Sequence, residues 1–133
     1  MPLGTSSGRP TRTRGMSALA LDLGTQWILV DAGEGTQHQL LRFGLPTSRL
    51  AAVLITHLHG DHVLGLPGLL STLALNGRVE PLTVIGPDGL GRGKGVARRV
   101  RVSRMCQRDV GRRPACVRPP EEVHAEPMVF VGA

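Results

Sequence analysis

The sequence predicts an α/β domain over its first ninety residues, followed by a basic segment of different character. Two observations carry the prediction. Short apolar runs with the two-residue period of strands alternate with runs of helical period. This patterning stops near residue 90, where arginine density rises abruptly.

The elements follow in order. Residues 3–15 (LGTSSGRPTRTRG) are rich in turn formers and hold three arginines, which reads as a loop. Residues 17–23 set Ala18, Ala20 and Asp22 against Leu19, Leu21 and Leu23, a strand with one buried face. Gly24-Thr25-Gln26 turns the chain into Trp27–Asp31, and the two runs form a hairpin. After Gly33-Glu34-Gly35, Thr36 is placed to cap a helix reaching about Phe43, with Gln37, Leu40 and Leu41 inward. Gly44-Leu45-Pro46 ends it, Thr47–Leu50 is a short polar turn, and Ala51–Thr56 is a strand apolar enough for burial on both faces. Pro67 suits a first helical turn, so a second helix runs to Leu75 and closes at Asn76-Gly77. Leu82–Ile85 is a further strand, ended by Gly86-Pro87. Beyond it, Pro114, Pro119, Pro120 and Pro127 interrupt any long element, and a short helix over 96–105 is the one regular piece expected.

Composition narrows the function classes. The 133 residues carry 16 Lys+Arg and 10 Asp+Glu, a formal charge of +6 that on its own suggests a nucleic-acid or acidic partner. Residues 1–90, however, hold six basic and six acidic side chains, so the excess lies entirely in 91–133. Aromatic residues are 2%, which removes the stacking platforms of most single-strand binders. No run of 18 apolar residues is present, so no membrane span is expected, and the N-terminus lacks the apolar core of a secretory signal. Cys106 and Cys116 are the two cysteines, too few for a disulfide framework, and a cytoplasmic location follows.

The chemistry concentrates directly after the third apolar strand. His57, His59, Asp61 and His62 fall within six residues, the composition of a metal site and hard to explain as packing. In an extended chain His57 and His59 point the same way, whereas Gly60 lets the chain turn and re-aim Asp61 and His62 at a second point. Two metals about 3.5–4 Å apart could then share a hydroxide and clamp the oxygens of a phosphodiester.

Thr56–His62 (THLHGDH) resembles the HxHxDH signature of the metallo-β-lactamase superfamily. With GTSSGRPTRTRG (4–15), DAGEGTQHQLL (31–41), THLHGDHVLGLPGLL (56–70) and EPLTVIGPDGL (80–90), the chain resembles bacterial ribonuclease Z over about residues 3–90. The resemblance implies the N-terminal half of a metallo-β-lactamase αβ/βα sandwich, incomplete, with an irregular C-terminal tail at 91–133. It implies a hydrolase that removes 3′ trailers from precursor tRNA with two Zn²⁺ ions per complete site. By position, His57 and His59 would hold one zinc and Asp61 and His62 the other, with Asp61 also the general base. Asp31 would orient the ligand loop from behind, or else cap the Gly33–Thr36 turn. Arg12 and Arg14 match the loop near the substrate's 3′ side and would grip phosphate, or else remain ordinary solvated charge. A homodimer is implied in the same way. Gly65–Leu70 reads as helix packing beside the site and His38 as a surface histidine.

The family's remaining ligands, including the aspartate that bridges its zincs, have no counterpart in the readable pattern. His124 lies in PPEEVHAEPM, which does not match. The expectation is therefore a truncated chain, its tail explicable by a shifted reading frame. Two other functions compete: another hydrolase or phosphodiesterase of the superfamily, and an inactive fragment with a basic RNA-binding tail.

Overall fold

Strand formation begins where small and large side chains alternate. A computed structural model describes residues 1–90 and the strand at 97–100. In β2 (Ala18–Asp22) the alanines face inward, Ala18 and Ala20 being buried, while Leu19 and Leu21 stay 37% and 40% exposed. β2 pairs antiparallel with β3 (Trp27–Val30) through the expected hairpin, and Arg49 clamps its turn through Nε to the Thr25 carbonyl at 2.9 Å. On the other side of β2 lies β1 (Pro2–Gly4), a strand that the sequence pattern did not announce.

β3 and β4 (Leu50–Leu54) run parallel, which requires a crossover, and α1 (Thr36–Arg42) supplies it. The pairing slips by one residue between Trp27 and Ile28, so Ala51 is passed over and both Leu50 and Val53 turn inward. β4 pairs parallel with β5 (Leu82–Ile85) across a second crossover, made by α2 (Gly60–Val63) and α3 (Leu66–Leu75). β6 (Ala97–Val100) pairs antiparallel with β5 and completes a six-stranded sheet in the order β1-β2-β3-β4-β5-β6.

One core joins the sheet to the helices. Ala18, Ala20, Trp27, Leu29, Leu50, Val53, Leu82 and Val84 from the strands meet Leu40 of α1 and Leu66, Leu69 and Leu73 of α3. Each fully buried leucine contributes about 1.5–3 kcal/mol relative to exposure. Ile28, Val30, Leu54 and Ile85 on the opposite residues of the strands are only half-buried. Trp27 is 1% exposed and its indole N–H donates to the Pro46 carbonyl at 2.9 Å, so its polar edge is satisfied within the core.

Three expectations change. Thr36 does not cap α1: Gly35 holds the cap position, and the Thr36 hydroxyl instead donates to the Gly33 carbonyl at 2.6 Å, closing the preceding turn. Leu41 points outward at 71% exposure, because in a seven-residue helix Thr36 and Leu40, four apart, already fill the inner stripe. The helix expected over 96–105 is, in its described part, the strand Ala97–Val100, since the open edge of β5 offers a full ladder that no isolated helix of that length could match. The rest of that segment, with Cys106, Cys116 and His124, lies outside the described residues.

Candidate metal centre

The sheet brings the candidate ligands together at the C-terminal ends of its parallel strands, the usual location of sites in such sheets. The Asp31 N–H donates to the Leu54 carbonyl at 2.7 Å, so the exits of β3 and β4 are fixed side by side. Asp31 takes φ = 59°, a left-handed conformation that Asp tolerates better than most residues, and its carboxylate turns toward the β4 exit. There Oδ1 accepts from the Thr56 N–H at 2.8 Å and the Thr56 hydroxyl at 2.9 Å. Its Oδ2 faces His62 Nδ1 at 2.7 Å.

Donor counting assigns the histidine tautomers. A carboxylate only accepts, so His62 Nδ1 carries the hydrogen and, in the neutral ring, Nε2 presents its lone pair. The Thr56 hydroxyl has one hydrogen, which goes to Asp31. At 3.0 Å from His57 Nδ1 it therefore acts as acceptor, and His57 also presents Nε2 as a lone pair. One buried carboxylate thus sets two imidazoles, one directly and one through Thr56. The Gly33–Thr36 turn, the alternative role for Asp31, is closed by Thr36 itself.

The histidine rings are gathered closely. The centroid of His57 lies 4.6 Å from that of His59, edge to face, and 4.0 Å from that of His62. Asp61 Oδ2 lies 3.5 Å from His62 Nε2 and accepts the Gly8 N–H at 3.0 Å. That N–H is the main influence holding the carboxyl below its ordinary value; desolvation comes next and opposes it, and the backbone of Asp61, His62 and His59 add lesser support.

The short helix α2 starts at Gly60 and turns Asp61 and His62 back toward Asp31, a helical step where only a sharp turn was expected. Backbone bonds secure it: the Ala32 N–H donates to the His62 carbonyl at 2.7 Å and the Gly65 N–H to the Ala32 carbonyl at 2.8 Å. At Gly65 a β-carbon would lie 1.9 Å from the Gly33 carbonyl oxygen, so this approach needs a glycine.

Imidazole nitrogens with a carboxylate oxygen are the donors that Zn²⁺ and similar divalent ions take. Among the described residues no three such side chains converge on one point, so the donors stand as a partial set rather than a closed cage. Arg12 and Arg14 lie apart from the histidines, lining a cleft between the 10–15 loop and α1. Thr56 and the Gly8 amide were not anticipated as part of the site; the position of Thr56 directly before His57 was the available signal.

The profile of the Metallo-beta-lactamase superfamily matches residues 13–130. The chain belongs to the metallo-β-lactamase superfamily. Within it, the chain is 55% identical over 87 residues to ribonuclease Z of Marinobacter nauticus, covering 64% of this chain and 27% of that protein. It is 51% identical over 92 residues to ribonuclease BN of Erwinia tasmaniensis, covering 66% of this chain and 30% of that protein. The chain thus spans less than a third of the length of these curated relatives. The crystal structure of human tRNase Z, short form, superposes with a TM-score of 0.64 at 46% identity, covering 68% of this chain and 35% of that one. The metallo-β-lactamase fold accordingly covers the region that carries the histidine cluster. Among the described residues no helix is long and apolar enough to cross a membrane.

Proposed function

We propose that this chain carries the ligand-bearing part of a zinc-dependent endoribonuclease that removes 3′ trailers from precursor tRNA. The observation that carries the reading is the arrangement at Asp31: it sets His62 directly and His57 through Thr56, leaving both Nε2 atoms as donors beside His59 and Asp61. A buried carboxylate behind a histidine is the usual means of orienting a metal ligand and raising its basicity. Its similarity to ribonuclease Z proteins supports the choice of substrate class.

His57 and His59 would hold one ion, Asp61 and His62 a second. Such ions, when bound, polarise a phosphoryl oxygen and acidify water. The chain's own groups do the rest. Asp61, held in place by the Gly8 amide, would be the group that accepts a proton from the attacking water. Arg12 and Arg14 present planar donors to RNA phosphate, and pairing with a second copy would follow the family.

Purified chain incubated with a precursor tRNA and Zn²⁺, with His59→Ala alongside, tests this reading. Cleavage at the 3′ trailer by the wild type and loss of at least a hundredfold in the variant are expected. Equal cleavage by both would sink the assignment. Turnover of bis-p-nitrophenyl phosphate without tRNA cleavage would indicate a different phosphodiesterase of the superfamily. Salt-sensitive RNA binding with no metal retained would indicate a binding segment without catalysis.

A further inference from the structure

Three of the four candidate ligands are held by hydrogen bonds. His62 is set by Asp31, His57 by Thr56, and Asp61 by the Gly8 amide. His59 differs. It is exposed, its ring lies edge to face with His57 at 4.6 Å, and among the described residues no hydrogen bond reaches that ring. Ordering such a side chain for a metal costs conformational freedom unless packing has already fixed the segment that bears it.

That segment is pinned through Leu58. The rings of His57 and His59 lie together, and Leu58 between them reaches the other way, as side chains alternate along extended chain. Its Cδ1 closes on Gly89, where a β-carbon would lie only 3.0 Å from it, well inside the usual carbon–carbon separation. Gly89 also takes φ = 96°, a conformation open to glycine, so the loop after β5 can present bare backbone to the leucine.

The loop that offers Gly89 is itself anchored. At its start the Ile55 N–H donates to the Ile85 carbonyl at 2.7 Å, tying the exits of β4 and β5 together. At its end the Leu90 N–H donates to the Pro87 carbonyl at 3.3 Å, and the Leu90 side chain packs against the core. Leu58 is 41% exposed, so its seat on Gly89 adds little to the stability of the whole domain. What the contact fixes is the backbone between two histidines.

We propose that Leu58, seated on Gly89, is the positioning residue for His59: it holds the 57–59 segment so that His59 stands beside His57 before any ion binds. The inference rests on the metal-centre reading and assigns the support of the ligand whose ring lacks a hydrogen bond.

Zinc titration of the metal-free full chain, with the ring NMR signals of its histidines recorded before zinc is added, tests the proposal. The variants are Leu58→Ala, Leu58→Met and Gly89→Ala. Leu58→Ala should lower zinc affinity about tenfold and move the His59 ring signals, while those of His62, held by Asp31, stay in place. Its metal-free melting temperature should stay within about 4 °C of wild type, because the side chain removed is largely solvent-facing. Leu58→Met refills the contact and should restore both readouts. Gly89→Ala crowds the same contact and should move the same His59 signals. Its loss of affinity should not add to that of Leu58→Ala in the double variant, since both act through one contact. The proposal is overturned by zinc affinity within twofold of wild type in Leu58→Ala, by unmoved His59 signals or equally moved His62 signals. Failure of methionine to rescue, a larger fall in melting temperature or additive losses would overturn it too. A wild type that takes up no zinc would sink the metal-centre reading instead, and the metal-free ring signals would still decide the role of Leu58.

Discussion

Asp31 Oδ2 lies 2.7 Å from His62 Nδ1, joining residues thirty-one positions apart at the exits of two neighbouring strands. Both side chains are largely covered, 11% and 19% exposed, and Asp31 holds a left-handed backbone to make the contact. Strained backbone of this kind costs about 1–3 kcal/mol and persists where the surrounding structure enforces it. Here the ladder bond to Leu54 and the two Thr56 donors do so.

Asp31→Asn keeps the shape but substitutes an amide, which cannot both accept from Thr56 as a carboxylate does and hold the His62 ring as firmly. Zn²⁺ affinity should fall about 10–100-fold, as it does when a group behind a metal-bound histidine is lost. Isothermal titration of metal-free protein measures this; affinity within twofold of wild type would contradict it.

Thr56→Val deletes the hydroxyl that relays Asp31 to His57 while keeping the backbone N–H bond to Asp31. Thr56 is exposed, so stability should change by less than about 1 kcal/mol while metal affinity falls about tenfold. Thr56→Ser should restore it. A large stability loss with unchanged affinity would mean that the hydroxyl is structural.

Gly65→Ala places a methyl 1.9 Å from the Gly33 carbonyl oxygen, so the turn between α2 and α3 must shift. Overpacking of this kind costs about 1–3 kcal/mol. The shift is transmitted to His62 through Ala32, whose amide and carbonyl hold both sides of the turn. Thermal unfolding and zinc titration should therefore worsen together; a variant with wild-type melting would contradict the tight approach.

Leu69→Ala opens a cavity where the wild-type side chain is 0% exposed, and should cost about 2–5 kcal/mol. Leu41→Ala, two-thirds solvent-facing despite its helical position, should fall within about 0.5 kcal/mol of wild type. Urea unfolding of the two variants compares them directly.

How much was legible follows from how local each signal is. The strands at β2, β3, β4 and β5 and the helices α1 and α3 were readable because apolar periodicity is contained within each segment. The roles of Ala18, Leu41 and Thr36 were not, because which side of an element is buried depends on neighbours supplied by other segments. The strand at Ala97–Val100 depends on the edge of β5, which local pattern does not reveal. At the site, THLHGDH announced the donors, yet the relay from Asp31 through Thr56 and the clamp of Gly8 on Asp61 join residues 25 and 53 positions apart. Such contacts leave no periodic trace.

Zinc content measured alongside thermal unfolding of the full chain tests the cluster at His57, His59, Asp61 and His62 most directly, because metal that binds only the folded state raises its melting temperature. The wild type should take up added zinc and melt higher with it, and His57→Ala/His62→Ala should lose both the metal and the shift. The same zinc content and the same shift in the double variant, or no zinc-dependent shift in the wild type, would contradict the metal centre.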